Sequence, residues 1–527
     1  MRRAVARPAR RILLATLALP LLVTCGTPQA TQRLSKDPQI HARIAREAGN
    51  RPVGGAALLS FDGRDALLPA VLQTEFEPVT SPALQREIQR IANGMLARWT
   101  ETPLPQLGVF ISPVLDYAAY ASTERRVFVN LGVLRDAGSE DEIAFVLGHE
   151  ISHVLLGHNL ERRAEAQRSA AASQLAANAA LVGTSLAVSG GTAAQLTPGA
   201  TSGTKRVVIV SVMAGTTLLR GLANELFDPG WARGQETEAD RLGFDLAVRA
   251  GYSPTGAADS LDNLRRGDGN RAATEANLRG TVQSGIAMLG TGLTQFAPSA
   301  YQQYVPLGLT MFGGMIEKMT TSVATSAGLA ERHDAALTRR TSMTEYDQKF
   351  WNLDDPPDSK PNPFRAGALG REVDQWVAAR TAAGEVSTAL VDQDTARARG
   401  ILAQGRVQRL FPATHRMLQA KIYLAEGRIP QATQEYEQAT RLPTAPSAAF
   451  AEYAAMLAGE GQVDAAMRVL DQGAQRFNNA ELFLPTRAGL LARAGRKDAA
   501  TRVLAQCAAK DRSLLEACEA SMKASAG

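Results

Sequence analysis

The chain has 527 residues but no uninterrupted apolar run long enough to predict a membrane span, and it has only three cysteines. It also lacks net charge once residues 1–24 are set aside, because five arginines there account for the formal charge of +5. Charge therefore gives no reason to expect nucleic-acid binding. The stretches 169–204, 207–219 and 280–316 are uncharged but short or interrupted by glycine and proline. For them we favour helical packing around a functional site over a surface that contacts a membrane or a membrane-protein partner.

The N-terminus is predicted to be a secretion signal. Its arginines precede the apolar run Ile12–Val23, which is shorter than a membrane-spanning helix. The next residues, Thr24-Cys25-Gly26, complete a sequence that resembles a bacterial lipobox, with threonine where a smaller residue is typical. We predict a signal peptide over residues 1–25 and a periplasmic location. Lipidation of Cys25 would anchor the chain to the outer membrane, and ordinary cleavage nearby is the alternative.

The two other cysteines, Cys507 and Cys518, lie close together near the C-terminus. An oxidising periplasm permits a disulfide between them. Two buried thiols are the alternative, and the spacing alone does not decide between them.

An HExxH motif occupies His149-Glu150-Ile151-Ser152-His153. Residues four apart share one face of a helix, so the two histidines can hold one Zn²⁺ while Glu150 acts on a water molecule. Ser139 and Glu142 predict a capping box at the start of this helix, and the apolar residues that follow predict its burial. Two buried histidines beside a glutamate are difficult to satisfy without a metal.

Three protein ligands are usual for catalytic zinc, so a third donor is needed. His158 lies nine residues after His149, on the opposite side of the helix, and could approach the metal only if the helix broke at Gly157. We therefore expect His158 in a supporting or surface position. The longer HExxHxxGxxH motif of metzincins is excluded, because Leu156 and Asn159 stand where that motif needs glycine and histidine.

A carboxylate is the expected third ligand, and the segment 236–240 offers one. Glu236 and Asp240 are four residues apart and share a helical face, whereas Glu238 points elsewhere. We assign Glu236 as the metal ligand. Asp240 is expected to accept a hydrogen bond from the second N–H of a ligand histidine.

Together with residues 250–254 (Ala-Gly-Tyr-Ser-Pro), the HExxH motif and the downstream segment Glu236 to Gly243 resemble zinc metallopeptidases related to the CaaX prenyl protease and HtpX. The soluble periplasmic branch, typified by BepA, carries C-terminal tetratricopeptide (TPR) repeats. The resemblance covers roughly residues 80–345 for the peptidase. It implies a mainly α fold with a small β-sheet, an α+β zincin-type, gluzincin-like domain. It also implies one zinc ion per chain, with Glu236 as third ligand.

The same family has a late histidine in the pattern His-Pro-x-x-x-x-Arg. His333 and Arg339 match this spacing, but Asp334 replaces the proline. The resemblance implies that His333 stabilises the oxyanion or caps the zinc at rest, and a plain surface position is the alternative that the departure leaves open.

Metal-assisted peptide hydrolysis is the mechanism that the resemblance implies. Glu150 would take a proton from water and pass it to the leaving amine. The segment Arg125–Asn130 reads as a strand, and in zincin-like folds an edge strand pairs with extended substrate. We therefore expect this segment to be the edge strand and the specificity for unfolded chains to be broad.

A 34-residue period separates Gly427, Gly461 and Gly495. The positions five and nine residues after each glycine are also related by this period; they are Ala432, Ala466 and Ala500, then Tyr436, Leu470 and Leu504. This pattern predicts a TPR-like solenoid with a concave binding surface, or alternatively a purely structural helical cap. From these features we predict, in chain order, a signal peptide (1–25), an N-terminal extension (26–80), a zinc metallopeptidase domain (81–350), a proline-rich linker (351–370) and a repeat domain (371–527).

Two functions are compatible with these features. The first is a periplasmic zinc endopeptidase, peripheral to the outer membrane, that hydrolyses unfolded or misassembled envelope proteins. Its repeats would recruit substrate or contact outer-membrane assembly machinery. The alternative is a chaperone or assembly factor in which the zinc site is shielded and the repeats carry the function.

Overall fold

The computed structural model describes residues 35–48, 77–99, 107–121, 125–158, 233–266, 328–392 and 394–510, with parts of 514–522. The predicted signal peptide, Cys25, and the stretches 169–204, 207–219 and 280–316 lie outside the described residues. Within the described ranges, no helix combines the length and apolar character that a membrane span needs.

Helices make up most of the described chain. Those that accompany a small sheet are α1 (Pro38–Ala48), α2 (Pro82–Leu96), α3 (Leu131–Asp136), α4 (Glu140–Leu155), α5 (Arg233–Arg249) and α6 (Gly328–Phe350). Those that follow the short 3-10 helix Pro363–Arg365 are α7 (Gly367–Val391), α8 (Thr395–Leu402), α9 (Arg406–Leu410), α10 (Pro412–Ala425), α11 (Ile429–Arg441), α12 (Ser447–Gly459), α13 (Val463–Arg476), α14 (Leu484–Arg493) and α15 (Lys497–Ala508). The expected mainly α fold with a small sheet is confirmed.

The sheet has three described strands, β1 (Gly108–Ser112), β2 (Ala119–Ala121) and β3 (Arg126–Asn130), in the order β1-β3-β2. β3 is parallel to β1 and antiparallel to β2. The expectation that 125–130 forms the edge strand is therefore wrong. β2 precedes β3 by only a few residues, so the two pair as close neighbours; β3 is central, and β1 and β2 are the two edges of the described sheet.

Side chains along β1 and β3 alternate between the two faces of the sheet. Val109 and Val127 join the main core, which includes apolar residues of α2 and α4. Phe110 and Phe128 point the other way and stack with ring centroids 5.7 Å apart. This two-residue period is the ordinary geometry of a strand, and here it places one face of the sheet in the main core.

The start of α4 is fixed by the predicted cap. The Ser139 side chain accepts a hydrogen bond from the Glu142 N–H at 3.1 Å. The Glu142 carboxylate accepts from the Gly138 N–H at 2.7 Å, one residue before the position that a reciprocal capping box uses.

Residues 250–254, part of the sequence that resembles the metallopeptidase family, form hydrogen bonds with the first turn of α4. Gly251 has a φ of +82°, a left-handed conformation that turns the chain at the end of α5. Tyr252 then donates to Glu140 Oε1 at 3.0 Å, and the Ser253 N–H donates to Asp141 Oδ1 at 2.8 Å. Acidic groups in a first helical turn also interact favourably with the helix dipole, so α4 begins at a well-determined place.

Three helix pairs, α10–α11, α12–α13 and α14–α15, follow one another at the predicted 34-residue period. Gly427, Gly461 and Gly495 end the first helix of each pair, with φ values of +75°, +81° and +71°. The equivalent alanines of the second helices are fully buried; they are Ala432, Ala466 and Ala500. The period thus reflects a repeated helical hairpin.

A disulfide joins Cys507 to Cys518. Both residues are fully buried, in a small apolar cluster with α14 and α15. Of the two alternatives that the spacing left open, the structure has the disulfide, which closes the last repeat onto the residues that follow it.

Glu77, just before α2, is buried against the repeat helices. Its Oε2 accepts from the Thr414 N–H at 2.9 Å, and its Oε1 accepts from the Thr444 hydroxyl. Burial raises the pKa of Glu77 to about 7, although these hydrogen bonds act in the opposite direction. The native state therefore holds this proton more tightly than the unfolded chain does.

Glu77→Gln should change how stability depends on pH. Because the native pKa lies above the unfolded value, the wild type loses stability as pH rises from about 4.5 to about 7. The glutamine removes this loss, so stability relative to the wild type should rise by about 2–3 kcal/mol between pH 5 and pH 8. Denaturant unfolding at both pH values measures it, with exposed Glu385→Gln as control. If the variant differed from the wild type by the same free energy of unfolding at pH 5 and at pH 8, the prediction would be contradicted.

Candidate metal centre

Two histidine side chains meet on the buried face of α4. His149 and His153 lie one turn apart, and their Nε2 atoms are 3.1 Å from each other. His149 is 8% exposed and His153 is fully buried. The i, i+4 spacing thus brings the two nitrogens together as predicted.

The carboxylate of Glu236, on α5, joins this pair. Its Oε2 lies 3.6 Å from His149 Nε2, and its Oε1 lies 3.5 Å from His153 Nε2. One atom from each of the three residues lies within 4.8 Å of the others. Donors at the corners of a tetrahedral zinc site, with bonds of about 2.1 Å, are separated by about 3.4 Å. The three residues therefore fit such an ion.

Asp240 orients the first histidine. Its Oδ1 lies 2.8 Å from His149 Nδ1. Because an ionised carboxylate only accepts, His149 carries hydrogen on Nδ1. Burial alone would lower the pKa of His149, but Asp240 and Glu236 raise it overall, so a proton competes with a cation for Nε2. The role expected for Asp240 matches this geometry.

His158 orients the second histidine. Its Nδ1 lies 2.9 Å from His153 Nδ1, and its Nε2 lies 3.0 Å from Glu238 Oε2. The carboxylate requires hydrogen on His158 Nε2, so Nδ1 of a neutral His158 is the acceptor and His153 is the donor. In this tautomer His153 Nε2 carries no hydrogen, and it faces His149 Nε2 at 3.1 Å and Glu236 Oε1 at 3.5 Å. Burial lowers the pKa of His153 to about 3, which keeps the ring neutral.

The position of His158 follows from the end of the helix. α4 ends at Leu155, and Gly157 turns the chain with a φ of +72°. His158 is fully buried but does not join the metal group. Of the two positions that the sequence left open, the structure shows the supporting one, and the glycine before His158 was its signal.

Arg339, on α6, supports both carboxylates of α5. Its Nη1 lies 2.8 Å from Glu236 Oε2, while Nε and Nη2 donate to Asp240 at 2.8 and 2.7 Å. Burial would raise the pKa of Glu236, but the charge of Arg339 and the nearby histidines hold it well below its usual value. The sequence pointed to Arg339 only through its spacing from His333, whose side chain lies outside the described residues.

Glu150 lies next to this group and against the edge strand. The Ala121 N–H of β2 donates a hydrogen bond to its carboxylate. Burial raises the pKa of Glu150 to about 7, although the charge of His149 acts in the opposite direction. A carboxylate with a pKa near neutrality is suited to both accept and release a proton.

Two glycines allow α4 and α5 to touch through their backbones. A Cβ at Gly243 would lie 2.6 Å from the His149 backbone nitrogen, and one at Gly148 would lie 2.8 Å from the Gly243 oxygen. Glycine inside a helix costs up to about 1 kcal/mol relative to alanine, so its presence in both helices indicates a packing requirement. The spacing of histidines and carboxylates alone does not reveal this contact, whereas the two helical glycines are its signal in the sequence.

Similarity to known proteins agrees with this geometry. Residues 80–305 match the model of peptidase family M48. Over 156 residues the chain is 31% identical to Metalloprotease YcaL of Escherichia coli (strain K12). The matched residues make up 30% of this chain and 50% of YcaL. The chain thus spans about half the length of this relative. Both similarities support an M48-type metallopeptidase domain that contains His149, His153 and Glu236.

Gly243→Ala should weaken zinc binding. The added methyl group meets the backbone of His149, so α4 and α5 must separate, with an overpacking cost of about 1–3 kcal/mol. Gly234→Ala in the same helix is the matched control, because a Cβ there has no neighbour within 4 Å. Chelator competition and thermal unfolding measure both effects. Equal zinc affinity in the two variants would show that the close helix contact is not needed.

Proposed function

We propose that this protein is a zinc-dependent endopeptidase. One observation supports it most strongly: three groups that can offer a lone pair to a cation, the imidazoles of His149 and His153 and the Glu236 carboxylate, lie with one ligand atom each within 4.8 Å of one another. The Nδ1 atoms of His149 and His153 donate outward, so both Nε2 atoms point lone pairs towards the Glu236 carboxylate. Such an arrangement is stabilised by a cation.

Zinc is the ion that best suits these donors. Two imidazoles and one carboxylate form a common catalytic zinc set, which keeps a fourth position for water or substrate. M48 metallopeptidases are typically zinc-dependent, which agrees with the match over residues 80–305. A bound zinc ion would polarise a peptide carbonyl and lower the pKa of water.

Glu150 is the proposed general base. It is adjacent to His149 on α4, and its raised pKa of about 7 favours proton exchange near neutral pH. In the proposed reaction it takes a proton from the attacking water and then gives it to the leaving amine. The positively charged Arg339 is ion-paired with Glu236 and Asp240, so its proposed role is to position these carboxylates and not to transfer protons.

Substrate is proposed to add to β2 as an extended strand. β2 is one of the two edge strands of the described sheet, and it is the one that lies beside Glu150, through Ala121. Backbone pairing reads few side chains, which favours unfolded or misassembled polypeptides as substrates. β2 thus takes the substrate-pairing role that the sequence predicted for residues 125–130.

We further propose a periplasmic location, with TPR-like repeats that recruit substrate or an outer-membrane assembly partner. The Cys507–Cys518 disulfide supports an oxidising compartment. The repeated helical hairpins support a binding surface. Lipidation of Cys25 and a role for His333 remain part of this proposal. In the alternative, a chaperone or assembly factor with a shielded zinc site, the repeats alone would carry the function.

Glu150→Gln should abolish digestion of an unfolded protein substrate, with a loss of about 100-fold or more, because the amide cannot accept the proton of water. Folding and zinc content should be retained. Gel-based digestion by the purified mature protein measures it, with exposed Glu345→Gln on α6 as control.

Removal of zinc by a chelator should also abolish digestion, and added zinc should restore it. Undiminished digestion by Glu150→Gln would contradict the assigned base. Absence of digestion by the zinc-loaded wild type would instead favour the chaperone alternative.

A further inference from the structure

The hydrogen bonds behind His153 continue beyond His158 into the N-terminal helix. Arg43, on α1, places Nη1 2.9 Å from Glu238 Oε2, the same oxygen that lies 3.0 Å from His158 Nε2. Its Nε donates to the Leu156 carbonyl at 3.2 Å, one residue after α4 ends. Arg43 therefore holds both the carboxylate of α5 and the turn that carries His158.

α1 is a packed part of the metallopeptidase core. Ile40 and Ile44 are buried in the main core, and Arg43 is only 13% exposed. The segment before the helix is fastened to α5 as well, since Arg241 pairs with Asp37 at 2.7 Å. The docking of α1 thus brings a positive charge to Glu238 from a segment far away in sequence.

The two histidines are supported in the same way, with one difference. Behind His149 stand a carboxylate, Asp240, and then an arginine, Arg339. Behind His153 stand a histidine, His158, then a carboxylate and an arginine, Glu238 and Arg43. In both cases the arginine holds the carboxylate, and the carboxylate determines which nitrogen of the next ring carries hydrogen.

We infer that Arg43, Glu238 and His158 form a positioning chain that orients His153 for the metal and couples metal binding to the docking of α1. The inference depends on the metal site of the proposed function, but not on peptidase activity. If the chain holds His153 in its metal-binding orientation, zinc must in turn stabilise the docked helix, because coupling between two binding events is reciprocal. The N-terminal segment would then be part of the metal centre.

The test measures zinc affinity by competition with a chromophoric chelator, in the full chain without its signal segment. Glu238→Gln and Arg43→Met should each weaken zinc binding about 10-fold or more, as expected for partners behind a ligand histidine. The double variant should be little weaker than either single variant, because both remove one chain. Glu238 is partly exposed, so its substitution should not prevent folding.

Asp37→Asn is the matched control. It removes the Arg241 ion pair between the same N-terminal segment and the same helix, but touches no member of the chain. Zinc affinity should stay close to that of the wild type. Thermal unfolding with chelator and with zinc separates positioning from general stability: in Glu238→Gln the stabilisation by zinc should shrink, whereas a purely structural role would lower both values equally.

Hydrogen exchange gives an independent readout of the coupling. Zinc should slow amide exchange in α1 of the wild type, and this effect should be lost in Glu238→Gln. Wild-type zinc affinity in both Glu238→Gln and Arg43→Met would overturn the inference and leave the peptidase proposal intact. Failure of the wild type to bind zinc would overturn both this inference and the peptidase proposal. If the wild type binds zinc but digests no protein, weaker zinc binding by Glu238→Gln and Arg43→Met would support this inference and not the peptidase proposal.

Discussion

The close crossing of α4 and α5 is the constraint on which the rest of the site depends. Gly148 and Gly243 let the two backbones touch, so ligands separated by more than eighty residues of sequence face each other. At an ordinary interaxial distance of 8–10 Å, side chains fill the space between helices. Here that space is kept small beside His149, and the short carboxylate side chains of α5 can therefore reach imidazoles on α4 directly.

Burial of so many charged groups has a second consequence. Glu236, Asp240 and Glu238 each bring a carboxylate towards the core, and a buried charge without a partner is strongly destabilising. Arg339 and Arg43 provide the partners, from segments on either side of the motifs in sequence. A site whose ligands occupy only two helices is thus also contacted by charged side chains of α1 and α6.

The sequence predicted what depends on local periodicity. His149, His153, Glu236 and Asp240 follow from helical spacing, and the 34-residue helical hairpins follow from repeated glycines and alanines. It did not predict what depends on long-range contacts. The order of the three short strands depends on which strands pair with each other, and the sequence does not contain this information. Residues 125–130 were therefore expected at the edge, whereas β3 is the central strand. The roles of His158, Glu238 and Arg43 required the left-handed turn at Gly157 and the docking of α1.

The contacts of α4 also bear on where the unit that contains the metal centre ends. Asp141 is 1% exposed, and one of its carboxylate oxygens accepts from the Ser359 hydroxyl and the Lys360 N–H, at 2.9 and 2.7 Å. Asn362 donates to the carbonyls of Leu134 and Ala137, around the end of α3. A chain cut after α6 would remove these donors from Asp141 and from the end of α3. The proline-rich segment therefore stabilises the helix that carries both histidines, and its contacts belong with those of the metal centre.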